Sequence, residues 1–312
     1  MEIISVIVPC YNEAKVLNIF YEEILKVKQI MRQKNLQLEI IYVDDGSKDE
    51  TLKIIHEIKK EDNDVKYISF SRNFGKEAAM YAGLENAKGE YVVILDVDLQ
   101  DPPSLIPEMY ESIKNEGYDS VATRRVSRKG EPIIRSLLAK LFYKIMRKIS
   151  DSDIQDGARD FRMMNRKFVD AILSMSEKNR FSKGIFGWVG FKTKWLDYEN
   201  IERAAGETKW SFGKLFKYSI EGIVSFSTAP LIISTLMGMF FCMLAIILIL
   251  VVIVKTIVFG DPVSGWPSTI CAILLIGGIQ LFSIGILGQY IAKSYLEIKN
   301  RPIYIIGDTN IK

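Results

Sequence analysis

Two long stretches without a charged residue, Gly222–Val254 and Pro262–Ala292, constrain this 312-residue chain more than any other feature. Each exceeds the roughly 20 residues that a helix needs to cross the hydrocarbon core of a bilayer, so each reads as a membrane span. Lys255 and Asp261 lie in the short connection. Lys209, Lys214 and Lys217 precede the first span, and Lys293, Lys299 and Arg301 follow the second. The positive-inside rule then predicts a two-helix hairpin over 226–295, with residues 1–225 and the tail 296–312 in the cytoplasm of a cell-membrane protein. A mean hydropathy of +0.11 beside 25% charged residues fits a globular part joined to a membrane part.

Residues 1–225 carry the other constraint. β-Branched apolar runs over 3–8, 38–43, 65–70 and 91–95 read as buried strands. Pro9 is expected to stop the first. Between them lie helical patterns over 13–33 (with Asn12 as its cap), from 47–51 onward, and over 77–87. Strands alternating with helices predict a doubly wound, mostly parallel sheet, which binds ligands at the carboxyl ends of its strands. Neither G-x-G-x-x-G nor a Walker A sequence is present, so dinucleotide and P-loop versions are excluded. A net charge of +3 gives no argument for nucleic acid. Cys10, Cys242 and Cys271 match no metal spacing and read as reduced thiols. The lone histidine, His56, reads as an exposed helix residue, which argues against a histidine triad. The opening residues lack a basic n-region, so no cleaved signal peptide is expected.

Polar clusters sit where the strands should end. Most informative is Tyr91-Val92-Val93-Ile94-Leu95-Asp96-Val97-Asp98-Leu99-Gln100-Asp101-Pro102-Pro103. The two-residue period of a strand puts Asp96 and Asp98 on one face, with Gln100 beyond. Like charges that close repel unless a cation lies between them, and hard oxygen ligands suit Mg²⁺ or Mn²⁺. Two further segments are basic and amphipathic. Residues 128–148 alternate Ile133, Ile134, Leu137, Leu138, Leu141, Phe142 and Ile145 with Arg135, Lys140, Lys144, Arg147 and Lys148. Residues 210–227 set Phe212, Leu215, Phe216 and Ile220 beside Lys214 and Lys217. Both suit helices lying on an anionic surface of membrane lipids.

The clusters Val6-Ile7-Val8-Pro9-Cys10-Tyr11-Asn12-Glu13, Val43-Asp44-Asp45-Gly46-Ser47, Ser71-Arg72-Asn73-Phe74-Gly75-Lys76 and Asp96–Pro103, in this order, resemble the family 2 glycosyltransferases. The last two resemble its polyprenyl-phosphate branch, which includes dolichol-phosphate mannose synthases and the GtrB-type bactoprenol glucosyltransferases. The resemblance covers essentially the whole chain. It implies an α/β fold: a GT-A, Rossmann-like catalytic domain with a mostly parallel sheet, plus two C-terminal transmembrane helices. It also implies an inverting, metal-dependent transfer of one hexose, glucose or N-acetylglucosamine, from a UDP-sugar to undecaprenyl phosphate, and a homotetramer.

Residue by residue, the resemblance places the nucleotide sugar on Pro9, Tyr11, Glu13, Asp45, Arg72, Lys76, Asp96, Arg203 and Lys209, with Asp45 accepting the uracil N–H. It gives the metal Asp96, Asp98 and Gln100, and the acceptor phosphate Arg124, Arg125, Arg135, Ser136 and Arg162. The segment Asp156-Gly157-Ala158-Arg159-Asp160-Phe161-Arg162 resembles the family's acceptor motif, which makes Asp160 the aligned acid and Asp156 the outside candidate. A lipid monophosphate is largely a dianion at neutral pH, so a base has little proton to remove; Asp160 then orients Arg162 or sugar hydroxyls instead. Gly206-Glu207-Thr208-Lys209-Trp210, with Arg203, resembles the loop that closes over the donor diphosphate. Rival readings are a processive polysaccharide synthase, for which the Gln-x-x-Arg-Trp motif is missing, a phosphoglycosyl transferase releasing UMP, and a non-catalytic membrane scaffold.

Overall fold

β-Branched runs and amphipathic stretches alternate along the chain, and the backbone follows that alternation. The computed structural model describes residues 1–125, 157–175, 177–198, 223–224, 227–259 and 265–311. Strands β1 (Glu2–Cys10), β2 (Leu36–Asp44), β3 (Val65–Phe70) and β4 (Tyr91–Ile94) alternate with helices α1 (Leu17–Gln33), α2 (Thr51–Glu61) and α3 (Lys76–Asn86). All four strands pair in parallel, with Ile7 of β1 opposite both Ile41 and Ile94. Val6, Ile7, Ile40, Ile41 and Val93 are fully buried, as a parallel sheet covered on both faces requires. On α1, Leu17, Phe20, Ile24, Val27 and Met31 recur at helical spacing and form the stripe packed on the sheet.

Helix α4 (Ile106–Glu116) leads into β5 (Ser120–Arg125). Then come β6 (Ala158–Asn165), α5 (Arg166–Ser174), α6 (Ser182–Trp188) and β7 (Thr193–Tyr198). β6 inserts antiparallel between β4 and β5, and β7 runs parallel to β5. The last strand, β8 (Ile306–Thr309), pairs antiparallel with β3, so residues 296–312 hold more than a plain tail. The strand order is β7-β5-β6-β4-β1-β2-β3-β8.

Three local expectations are corrected. β1 does not stop at Pro9 but runs to Cys10. Proline acts on the neighbouring ladder instead: the Leu95 N–H donates to the Ile7 carbonyl, and the next bond of that parallel pairing would need the N–H that Pro9 lacks. β4 therefore leaves the sheet here, and Asp96 and Asp98 stand on a loop rather than on alternate positions of a strand. Asn12 caps no helix. It takes a left-handed conformation, φ 52°, and α1 begins only at Leu17 after a turn over Glu13–Val16.

Two compact units divide the chain: Met1–Gly222 with Arg301–Lys312, and Ile223–Asn300. The second holds helices α7 (Ala229–Phe259) and α8 (Trp266–Ile298). Within them Ala229–Leu248 and Leu275–Ile298, with mean hydropathies of 2.6 and 1.5, are long and apolar enough to cross a membrane. Leu236, Phe240 and Leu281 are each more than half exposed, which fits helices that face lipid rather than a protein core. The segment 128–148 lies outside the described residues, as does 210–222.

Candidate active site

The carboxyl ends of β1, β2 and β3 surround a cavity of about 620 Å³, whose walls include Tyr11, Asp44, Ser47, Lys48 and Ser69 to Asn73. Short polar side chains knit its rim. The Asn12 N–H donates to Ser47 Oγ at 2.9 Å, and the Lys48 N–H donates to Asn12 Oδ1 at 2.8 Å. Asp44 accepts from the Ser47 N–H and from Ser69 Oγ. The Glu13 N–H reaches Thr51 Oγ1 at 2.8 Å. Gly46 has φ +67°, and a Cβ there would lie 2.5 Å from the Arg72 carbonyl carbon. Only glycine lets the two loops approach this closely.

Asp45 is buried and accepts from Asn73 Nδ2, the Phe74 N–H and the Gly75 N–H at 2.8, 2.6 and 2.9 Å. Burial lifts its carboxyl to about 6, against the pull of the two backbone N–H groups. The structure thus places Asp45 behind the loop that opens α3, and Asp44 at the cavity wall. Arg72, at the same rim, lays its guanidinium 4.1 Å from the centre of the Phe74 ring.

Beyond β4 the loop carries the metal-type residues. Leu99 takes φ 57°, a left-handed turn that is strained for a branched residue, and Asp98 accepts from the Gln100 N–H. Asp101, 1% exposed, anchors the loop: Arg159 of β6 grips it with two donors and the Tyr198 hydroxyl of β7 donates to it. Neither Arg159 nor Tyr198 was singled out from the sequence, because their meaning depends on which strands lie side by side.

Register explains the central contact. The antiparallel pairing of β4 with β6 ends at Ile94 and Arg162, so the loop residue Asp96 leaves the sheet on the side where β6 carries Asp160. Lys76, at the start of α3, bridges them, with Nζ 2.7 Å from Asp96 and 2.5 Å from Asp160. Burial opposes the charge on Asp160, yet the ammonium groups of Lys76 and Lys183 hold its carboxyl well below the usual carboxylate range. An acid so stabilised as the anion is a poor proton acceptor. Arg162, 3% exposed, lies 3.8 Å over the Phe186 ring, and its Nε has no hydrogen-bond partner among the described residues; burial pushes its guanidinium down to about 9. Glu77, the neighbour of Lys76, accepts from the N–H and hydroxyl of Ser182 on α6, and burial pushes it up to about 7.

The structure brings together Tyr11, Asp45, Arg72 and Lys76 on the loops beside the cavity, and Lys76, Asp96, Asp160 and Arg162 around the adjoining strands. Pro9 supports the site from within β1. Arg124 is committed to a two-pronged ion pair with Asp197 of β7, at 2.8 and 2.9 Å. Arg125 is placed on β5 by its backbone. Arg135, Ser136, Asp156, Arg203 and Lys209 lie outside the described residues. Among the described residues no three His, Cys, Asp or Glu side chains converge as a ready metal cage. The loop carries two carboxylates and an amide, Asp96, Asp98 and Gln100, whose oxygens are donors of the type that suits Mg²⁺ or Mn²⁺.

The fold is thus a GT-A-like α/β sheet with a polar cavity, a carboxylate loop and an acid–lysine bridge at its carboxyl edge. The profile of Glycosyl transferase family 2 matches residues 5–173, and the chain belongs to that family. It is 44% identical to CsbB of Bacillus subtilis (strain 168) over 309 residues, 99% of this chain and 92% of that one. Identity is 43% to the prophage bactoprenol glucosyl transferase homolog of Escherichia coli (strain K12), over 97% of this chain and 98% of the relative. It is 42% to the SfII prophage-derived bactoprenol glucosyl transferase of Shigella flexneri, over 97% of each. Among solved structures, glucosyl-3-phosphoglycerate synthase from Mycobacterium tuberculosis, in complex with Mn²⁺, UDP-glucose and phosphoglyceric acid, matches with a TM-score of 0.46 and 18% identity, covering 72% of this chain and 78% of that one.

Proposed function

We propose that this family 2 glycosyltransferase moves one hexose from a UDP-sugar to undecaprenyl phosphate at the cytoplasmic face of the membrane, with inversion at the anomeric carbon. The bridge Asp96–Lys76–Asp160 carries the reading, because it joins the acid suited to the donor's metal to the acid aligned with the acceptor motif. Relatives named bactoprenol glucosyl transferases over nearly the full length support the lipid acceptor and make glucose the first sugar to test.

In this mechanism the uridine half of the donor occupies the cavity beside Tyr11, Asp44 and Arg72. Asp96, Asp98 and Gln100 would hold Mg²⁺ or Mn²⁺, which when bound supplies charge stabilisation for the leaving diphosphate. An acceptor phosphate oxygen attacks the anomeric carbon as the bond to the UDP oxygen breaks, so UDP leaves with the bonding pair. The acceptor arrives as a dianion, and no protein base is needed. Asp160, held ionised by Lys76, fixes that lysine and the hexose hydroxyls rather than removing a proton. The sheet supports the proposed sidedness in one respect. β8, which follows both apolar helices, pairs with β3, which precedes them; two crossings return the chain to the side it left.

The test is a panel of radiolabelled UDP-sugars with purified full-length protein, undecaprenyl phosphate and Mg²⁺ or Mn²⁺. Label moving to the lipid with release of UDP, abolished by EDTA, is the expected result. Release of UMP would mean phosphoglycosyl transfer, and no transfer from any donor would overturn the proposal.

A further inference from the structure

The wall of the cavity formed by Ser71 to Asn73 is held from two sides by backbone in close approach. On one side stands Gly46. On the other stands Gly307 of β8, where an added Cβ would lie 3.3 Å from both the Cα and the nitrogen of Ser71. β8 meets what would otherwise be the open edge of the sheet. The Ser71 N–H donates to the Ile305 carbonyl at 3.0 Å, Thr309 Oγ1 donates to the Tyr67 carbonyl at 2.7 Å, and the Tyr67 N–H donates to Asn310 Oδ1 at 2.7 Å. The pairing shifts register between Ser69 and Phe70, where the strand turns into the cavity wall. At that point the Tyr304 ring stacks on Phe70, with centroids 4.9 Å apart and planes at 23°, and its hydroxyl donates to Glu85 of α3 at 2.5 Å.

We infer that the segment Tyr304–Asn310 positions the donor site: it holds the Ser71–Asn73 wall against Gly46, and nucleotide affinity depends on it. The inference rests on the reading of this cavity as the nucleotide site. Tyr304 and Gly307 touch no reacting atom; they act through Phe70 and Ser71.

The test uses the full chain with Gly307→Val, Tyr304→Ala and Tyr304→Phe. Hydrogen exchange at the Ser71, Phe74 and Gly75 amides, without nucleotide, reads the wall itself. UDP titration calorimetry with Mn²⁺ and a split of KM from kcat read its effect. Gly307→Val is expected to speed exchange and to raise the Kd for UDP and the KM for the donor by roughly tenfold, since ordering of the loop must then accompany binding. The kcat at saturating donor and the KM for the lipid should stay within about twofold of the unmodified protein's. Tyr304→Ala should shift the same quantities less, and Tyr304→Phe, which keeps the stack, least. Unchanged exchange and unchanged Kd in a cooperatively folded Gly307→Val protein would overturn the inference. If that variant fails to fold, the same readings on Tyr304→Ala decide. Failure of the unmodified protein to bind UDP would sink the nucleotide-site reading alone, and exchange would still report whether β8 holds the wall.

Discussion

At the carboxyl ends of β1, β2 and β3, loops are tied by single hydrogen bonds between carboxylates or hydroxyls and backbone N–H groups: Asp44 to Ser47, Asp45 to Phe74 and Gly75, Ser47 to Asn12. At the ends of β4, β6 and β7 the ties are ion pairs: Lys76 with Asp96 and Asp160, Arg159 with Asp101, Arg124 with Asp197. In the proposed function the first half would receive the nucleotide without breaking any of these ion pairs. In the second, an incoming cation or phosphate must compete with ions already present, and Lys76 stands beside the acid a metal would take. On the proposed function, the donor half would be a preformed rim and the other half a set of charges whose pairing the substrates would rearrange.

That contrast can be broken at its strongest point first. Asp98→Ala should lower kcat by at least about a thousandfold if the carboxylate loop serves the leaving diphosphate, while UDP affinity measured in EDTA stays near that of the unmodified protein. A fall in both would mean that the loop belongs to the rim. Next comes Asp101→Asn, which leaves the Arg159 guanidinium facing an amide in a largely buried site. Urea unfolding of the detergent-solubilised protein should show a loss of about 4 kcal/mol. Lys76→Met should do less, about 3 kcal/mol, because the lysine is partly exposed and water screens the two carboxylates it leaves behind. Adding Asp160→Asn to Lys76→Met should recover part of that loss. No recovery would show that Lys76 acts through packing rather than charge.

How much of this was legible beforehand follows the same division. The parallel strands stand within about two residues of their expected bounds, because buried β-branched runs leave the backbone little choice. The polar clusters of the donor half follow at once, since such a sheet gathers its strand ends on one edge. Asp160 and Lys76 are 84 residues apart, and their contact depends on β6 entering the sheet antiparallel beside β4. Nothing local in the chain announces that reversal. Tyr198 and Arg159 are ordinary residues until β7 and β6 flank the loop that holds Asp101. β8 was missed for another reason: Ile306-Gly307-Asp308-Thr309 is too short and too polar to read as a strand, and it exists because the edge of β3 offers it partners.

The smallest effect tests whether Glu77 belongs with the charge pairs or with the neutral ties. Its side chain is half-buried, faces Ser182 and lies near Asp160, and its carboxyl is pushed up to about 7 when folded against 4.5 as an unperturbed side chain. The folded state therefore holds more protons than the unfolded state between these values. Stability from this group is full below about pH 4.5 and is lost as the pH rises through 7. Between pH 5 and pH 7 the loss should come to about 2 kcal/mol. Glu77→Gln keeps an acceptor for Ser182 and cannot ionise, so its unfolding free energy should vary less over that window. Asp45, lifted to about 6, has the same sign and keeps part of the slope in the variant. Asp160, held low, contributes the opposite trend, but only in more acidic solution, below the window measured. An unchanged slope in Glu77→Gln would mean that Glu77 is ionised at neutral pH beside Asp160. Lys76 would then be balancing three carboxylates rather than two.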